Sequence, residues 1–106
     1  MVKKEYQALG GKIADYWDDR SIGISLATRK SLDRENQNLE RIIDDLDISQ
    51  GTRVADMGTG CGFMAILFAK RGLKVTGIDM VDSMLEYARN ITEETGLDIE
   101  FINRDV

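Results

Sequence analysis

Asp56-Met57-Gly58-Thr59-Gly60-Cys61-Gly62 joins one carboxylate to three alternating glycines, where an extended run meets an apolar helix. Thr52-Arg53-Val54-Ala55 before it is strand-like. Phe63-Met64-Ala65-Ile66-Leu67-Phe68-Ala69 after it is almost wholly apolar and ends in Lys70-Arg71-Gly72. Glycines at such a turn take φ > 0 and leave no Cβ between the backbone and a ligand. The first N–H groups of the helix lack intrahelical partners and offer donors to whatever sits there. Strand, glycine turn and buried helix, with an acid at the turn, describe a cofactor pocket. A second carboxylate, Asp79, ends the run Thr76-Gly77-Ile78-Asp79. An acid at the end of a buried strand is costly unless donors reach it, so Asp79 is read as a ligand-binding or helix-capping group.

The glycine run matches Asp-x-Gly-x-Gly-x-Gly at every fixed position and resembles motif I of the class I S-adenosylmethionine (SAM)-dependent methyltransferases. The resemblance covers Arg53 to Val106, about half the chain. It implies that Asp56, Gly58, Thr59, Gly60 and Gly62 cradle SAM and that Asp79 holds its ribose hydroxyls. Ser83-Met84-Leu85 with Ala88 resembles the helix that follows. Phe101 to Val106 resembles the end of the third strand, with Asp105 near the adenine and Met80 and Val106 bordering it. Upstream, Tyr16-Trp17-Asp18-Asp19-Arg20 resembles the Trp-Asp-x-Arg-Ala segment of small-molecule and quinone-type members.

Three departures accompany the match. Ile24-Ser25 stands where the family has Tyr-Asp, and Val81 stands where Ser or Pro usually opens the second helix, so Asp82 is expected to cap it. Where the family continues through four more strands, this sequence stops, and the reading expects only the cofactor-binding half. The implied reaction is methyl transfer from SAM to a small-molecule acceptor. No residue is assigned as general base, and the isolated chain is expected not to turn over. Two rivals stand beside this reading. One is a non-catalytic SAM-binding module or a subunit completed by another chain. The other is an NAD-binding protein, since Gly60-x-Gly62-x-x-Ala65 fits the dinucleotide fingerprint in a shifted register. A pyrophosphate beside Asp56 is repelled, whereas the ammonium of SAM's methionyl end is favoured.

At 106 residues the chain is expected to form a single domain, with 1–50 as a helical or lid segment and 51–106 as the SAM-binding βαβαβ unit. A net charge of −5 argues against a nucleic-acid partner. No apolar run approaches the ~20 residues of a membrane span. Neither a signal h-region nor a cysteine pair is present, so the reading is cytoplasmic. With no histidine and one cysteine, no metal site is expected. Cys61 lies at a helix start, a setting that lowers thiol pKa, but without histidine it is read as a small filler.

The elements that position these residues follow from periodicity. Tyr6, Leu9, Ile13, Tyr16 and Trp17 predict a first helix, weakened by Gly10-Gly11, with Tyr16 and Trp17 read as core in preference to closing over the cofactor. Ser21 to Ser31 reads as a loop. Leu39, Ile42, Ile43 and Leu46 stripe a second helix starting near Leu32-Asp33. From there the pattern alternates strand, helix, strand, helix, strand: Lys74 to Ile78, a helix striped by Met84, Ala88 and Ile91 and closed by Gly96, then Ile99 to Ile102. The alternation gives an α/β fold with a parallel sheet behind two N-terminal helices, and the family resemblance implies that the sheet is Rossmann-like with strands in order 3-2-1. In that order the first strand keeps an open edge, which predicts a homo-oligomer or completion by the missing half.

Overall fold

Parallel strands need long crossovers, and here the crossovers are the two apolar-striped segments that the sequence places between strands. The computed structural model describes residues 12–33 and 37–105. Strands β1 (Arg53–Met57), β2 (Lys74–Asp79) and β3 (Ile99–Asn103) form one sheet in the order β1-β2-β3. Both pairings are parallel, with Asp56 opposite Gly77 and Gly77 opposite Phe101. Before the sheet come helix α1 over residues 12–18, α2 (Ser21–Asp33) and α3 (Gln37–Asp45). Between the strands lie α4 (Phe63–Ala69) and α5 (Asp82–Thr95).

The core lies between one face of the sheet and the α4–α5 pair. Ala65 of α4 and Leu85 and Ala88 of α5 pack with Val75 and Phe101 of the strands, and Val54 and Ile99 extend the cluster. A second cluster joins Cys61 and Ile66 to Val81, Met84 and Ile91. Alternation along the strands puts Met57, Ile78 and Ile102 in one register row on the opposite face, and Met57 remains 58% exposed. α5 ends at Gly96, which takes φ +70° in the left-handed C-cap.

Several sequence expectations shift. Ser21 to Ser31 is not a loop but most of α2, and its buried residues are Ser21, Ser25 and Thr28, spaced four and three apart. Hydrophobic periodicity missed this helix because its inward face is small and polar while Ile22 and Leu26 point outward. Consequently α3 begins at Gln37 rather than near Leu32, and of its stripe Ile43 is buried while Ile42 and Leu46 are exposed. Arg71 anchors α3 to the end of α4 instead, donating from Nε to Asp44 Oδ1 at 2.7 Å and pairing with Glu40 at 3.6 Å. The guanidinium lowers the Asp44 carboxyl pKa. β1 runs on through Asp56 and Met57, and β2 and β3 each extend one residue, to Asp79 and Asn103. Asp82 does not cap α5. The helix has no side-chain cap, and the Asp82 carboxylate accepts from Asn103 Nδ2 at the end of β3. Tyr6, Leu9 and Gly10-Gly11 lie outside the described residues.

Candidate functional site

At the carboxyl ends of β1 and β2 the chain must turn twice in a small space, and the two turns are tied to each other. Gly58 and Thr59 donate their N–H groups to the Ile78 carbonyl at 2.8 and 2.9 Å, pulling the glycine loop over the end of β2. Gly58, Gly60 and Gly62 have φ of +73°, +56° and +83°, the left-handed region where a Cβ is strained. A Cβ on Gly58 or Gly60 would meet no protein atom within 4 Å, so the missing side chains leave open space. Gly62 differs, because a Cβ there would come within 3.2 Å of Phe101 and 3.4 Å of Ala88, so this glycine serves packing.

The Asp79 carboxylate bridges the two turns. Oδ2 accepts from Gly60 N at 2.8 Å and Oδ1 from Val81 N at 3.0 Å. Asp79 thus orders the entry to α5 and lines a cleft. A carboxylate offers about four lone-pair sites, and these two bonds leave acceptor capacity free. Asp56 sits on the helix-facing side of β1, half-buried, and its Oδ2 accepts from Thr59 Oγ1 at 2.8 Å. Here the acid braces the loop through a buried hydroxyl rather than through backbone N–H groups.

Gly58, Gly60, Asp79 and Met80 line a cleft of about 360 Å³, together with Val81, Met84, Ile24, Ile13 and Trp17. The size falls within the roughly 300–1,000 Å³ of small-molecule sites. Its walls are mostly apolar, and Asp79 is the one titratable side chain among them. Of the other residues predicted for the site, Thr59 is buried as the loop brace and Asp105 is exposed outside the lining. Val106 lies outside the described residues. Sequence reasoning missed Ile13, Ile24, Val81 and Met84, and it assigned Trp17 and Tyr16 to the core. Both aromatics are instead about half exposed, with Trp17 at the cleft. The signal for Trp17 was its place in the Trp-Asp segment.

Cys61 is buried with its thiol 3.6 Å from Met84 Sδ. Burial, reinforced by the negative charge of Asp79, pushes its pKa up to about 11, against a small opposing effect of the Thr28 hydroxyl. The thiol stays protonated and unreactive at neutral pH. Among the described residues no cluster of His, Cys, Asp or Glu could hold a metal ion, and no helix is long and apolar enough to cross a membrane.

Comparison with known proteins converges on the same half of the chain. A family model described as "Methyltransferase domain" matches residues 54–106. A ubiquinone biosynthesis O-methyltransferase of Actinobacillus pleuropneumoniae is 45% identical over 51 residues, 48% of this chain and 22% of that protein. An S-adenosyl-L-methionine-dependent Diels-Alderase of Talaromyces variabilis is 34% identical over 58 residues, 55% of this chain and 20% of that protein. The chain thus spans about a fifth of the length of these curated relatives. Among solved structures, a SAM-dependent methyltransferase of Geobacter sulfurreducens in complex with S-adenosyl-L-homocysteine superposes with a TM-score of 0.58 at 32% identity, covering 66% of this chain and 29% of that one. A TehB-like SAM-dependent methyltransferase of Corynebacterium glutamicum shares the fold over 82% of this chain and 46% of its own, with a TM-score of 0.63 at 21% identity. The motif of alternating glycines, the three-stranded parallel sheet and the matched family model agree: this chain belongs to the class I SAM-dependent methyltransferase family.

Proposed function

We propose that the chain forms the SAM-binding part of a methyltransferase whose acceptor is a small molecule. The observation that carries this reading is the cleft where two open glycines, Gly58 and Gly60, face a carboxylate, Asp79, that has spare acceptor capacity. When bound, SAM supplies an electrophilic methyl on a sulfonium, which leaves as a neutral thioether. Asp79 accepts from the ribose hydroxyls with its remaining lone pairs. The Gly58–Gly60 backbone approaches the methionyl portion without a Cβ in the way, and Asp56 favours its ammonium electrostatically while bracing the loop. Met80, in the cleft lining, supplies apolar contact beside the adenine. Among the described lining residues Asp79 is the one carboxylate, and it is already committed to two N–H donors, so no general base is assigned to this part of the site. The chain's contribution is proximity and orientation, which can supply roughly 7–11 kcal/mol when geometry is fully held.

The relatives include both an O-methyltransferase and a Diels-Alderase by name, so the acceptor and the reaction at it are chosen outside the matched half. A non-catalytic SAM-binding module is the second reading, favoured by the commitment of the Asp79 carboxylate to the N–H groups of Gly60 and Val81. β1 pairs only with β2 among the described residues, and its open edge suits association with a second copy. The single cysteine, held as a thiol, suits a cytoplasmic setting.

Calorimetric titration with SAM, S-adenosylhomocysteine and NAD tests the ligand. SAM and S-adenosylhomocysteine are expected to bind and NAD not to. Equal or tighter NAD binding overturns the reading. Asp79→Ala is expected to weaken SAM by about 1–3 kcal/mol, the cost of leaving ribose donors without a charged acceptor. Unchanged affinity would reduce Asp79 to ordering the turn into α5.

A further inference from the structure

The cleft has two kinds of wall. Glycine loop and strand end are held by the sheet, whereas the wall made by Ile13 and Trp17 belongs to α1. These two residues are one helical turn apart and share a face. α1 is shallowly embedded: Ala14 packs against the core cluster, but Ile13 is 42% and Trp17 43% exposed. Polar contacts at the end of the helix add to this apolar contact.

Asp18, the last residue of α1, makes the junction. Its Oδ1 accepts from Ser83 Oγ at 2.5 Å, and its carbonyl accepts from Ser21 Oγ at 2.8 Å at the start of α2. Ser83 stands in the first turn of α5, directly after the Asp79–Val81 strand end that forms the opposite wall. The aromatic segment before Asp18 is braced internally. The Tyr16 and Trp17 rings meet edge-on at 5.0 Å, and the Arg20 guanidinium lies 3.4 Å over the Tyr16 ring and donates to the Tyr16 carbonyl at 2.8 Å. Among the described residues, the side-chain hydrogen bond from Ser83 to Asp18, at the solvent edge, joins this braced unit to α5.

We propose that Asp18 is a positioning residue for the cleft: accepting from Ser83, it latches the Ile13–Trp17 wall against the strand-end wall, so that ligand retention depends on a contact the ligand does not touch. The inference deepens the SAM-binding reading and rests on it. A single hydrogen bond at a solvated edge contributes modestly in net terms, since water competes for both partners, which makes the latch reversible. The apolar face of Trp17 then bears on the ligand only while the latch is closed.

Trp17 is the only tryptophan in the chain, so its emission reports on this wall alone. The test uses the full chain with Ser83→Ala, which removes the donor, and Ser83→Thr, which restores a hydroxyl. Without ligand, Ser83→Ala is expected to red-shift Trp17 emission and increase its quenching by acrylamide, and Ser83→Thr to return both. By calorimetry, S-adenosylhomocysteine should bind Ser83→Ala roughly three- to tenfold more weakly, the loss of about one net hydrogen bond. Weaker binding with unaltered Trp17 emission overturns the latch, because Ser83 would then act through α5. A shifted emission with unaltered affinity in a binding-competent chain also overturns it. Should the unsubstituted chain not bind S-adenosylhomocysteine, the SAM reading fails, and ligand-free Trp17 emission alone decides whether the hydrogen bond holds the wall.

Discussion

The βαβαβ unit from Arg53 to Asn103 and the helices before it obey opposite burial rules. In the first, Ala65, Ile66, Leu67, Leu85 and Ala88 are sealed between sheet and helices. In the second, α2 turns Ser21, Ser25 and Thr28 inward and leaves Ile22 64% and Leu26 56% exposed. Hydrophobic burial therefore organises the sheet unit, while the N-terminal helices combine a thinner apolar contact, through Ala14, Ile24, Leu32 and Ile43, with directed polar contacts: Ser21 to Asp18, Ser83 to Asp18, Arg71 to Asp44. The lesson is that one half of the cleft is built on a rigid core and the other hangs on hydrogen bonds that water can replace.

Leu85→Ala tests the strong side of that contrast. Deleting a fully buried side chain from the α5 core should cost about 2–5 kcal/mol, read as a fall in the chemical-denaturation midpoint at unchanged slope. A loss below about 1 kcal/mol would show that the core between α4 and α5 is loosely packed. Gly77→Ala should cost about 1–3 kcal/mol, because the new Cβ would stand 2.7 Å from Phe101 Cδ1 and 2.9 Å from Thr59 Oγ1. The same variant should loosen the glycine loop through Thr59, seen as weaker S-adenosylhomocysteine binding.

Cys61 sharpens the comparison through pH. Its folded pKa is raised from 9.0 to about 11, chiefly by burial, so the protonated thiol stabilises the fold below pH 9 and that contribution is lost as pH rises toward 11. The loss should reach about 2–3 kcal/mol at full deprotonation of the unfolded thiol, and denaturation midpoints at pH 8 and 11 should differ less in Cys61→Ala. An equal pH response in both chains would assign the alkaline loss to other groups.

On the N-terminal side the expected effects shrink and change sign. Gly23 sits inside α2 with nothing within 4 Å of an added Cβ, so Gly23→Ala should stabilise by about 0.5–1 kcal/mol through reduced unfolded-chain entropy. Alanine thus stabilises at one glycine and destabilises at the other. Leu26→Ser, on the exposed face of α2, should change the thermal midpoint by no more than the equivalent of about 0.5 kcal/mol. A larger drop would mean that a partner surface covers this face in solution, and the drop would then vary with protein concentration.

Local chemistry made the sheet unit legible. A short strand-like run, a glycine turn and an apolar helix each announce themselves within a dozen residues, and parallel pairing follows once they alternate. Asp56, Gly58, Gly60 and Asp79 could be placed at the turns because strand ends must carry them. The same logic failed for α2, whose inward face carries hydroxyls rather than hydrocarbon, and for Trp17, where an aromatic at helical spacing reads as core. Asp82 was misread as a cap because cap preference is a local rule, whereas its carboxylate is claimed by Asn103 from a neighbouring strand.

What the sequence by itself determined is the order of strands, the glycine turn between β1 and α4, and the two acids that flank it, because propensity, periodicity and positive φ are properties of neighbouring residues. What only the tertiary structure decided is which atoms those acids meet, Thr59 Oγ1 for Asp56 and the N–H groups of Gly60 and Val81 for Asp79, and that a helix from the far end of the chain brings Trp17 to the cleft. The physical reason is range. Asp18 and Ser83 are 65 residues apart, and no local preference encodes a hydrogen bond that exists only after the core has fixed where α5 begins.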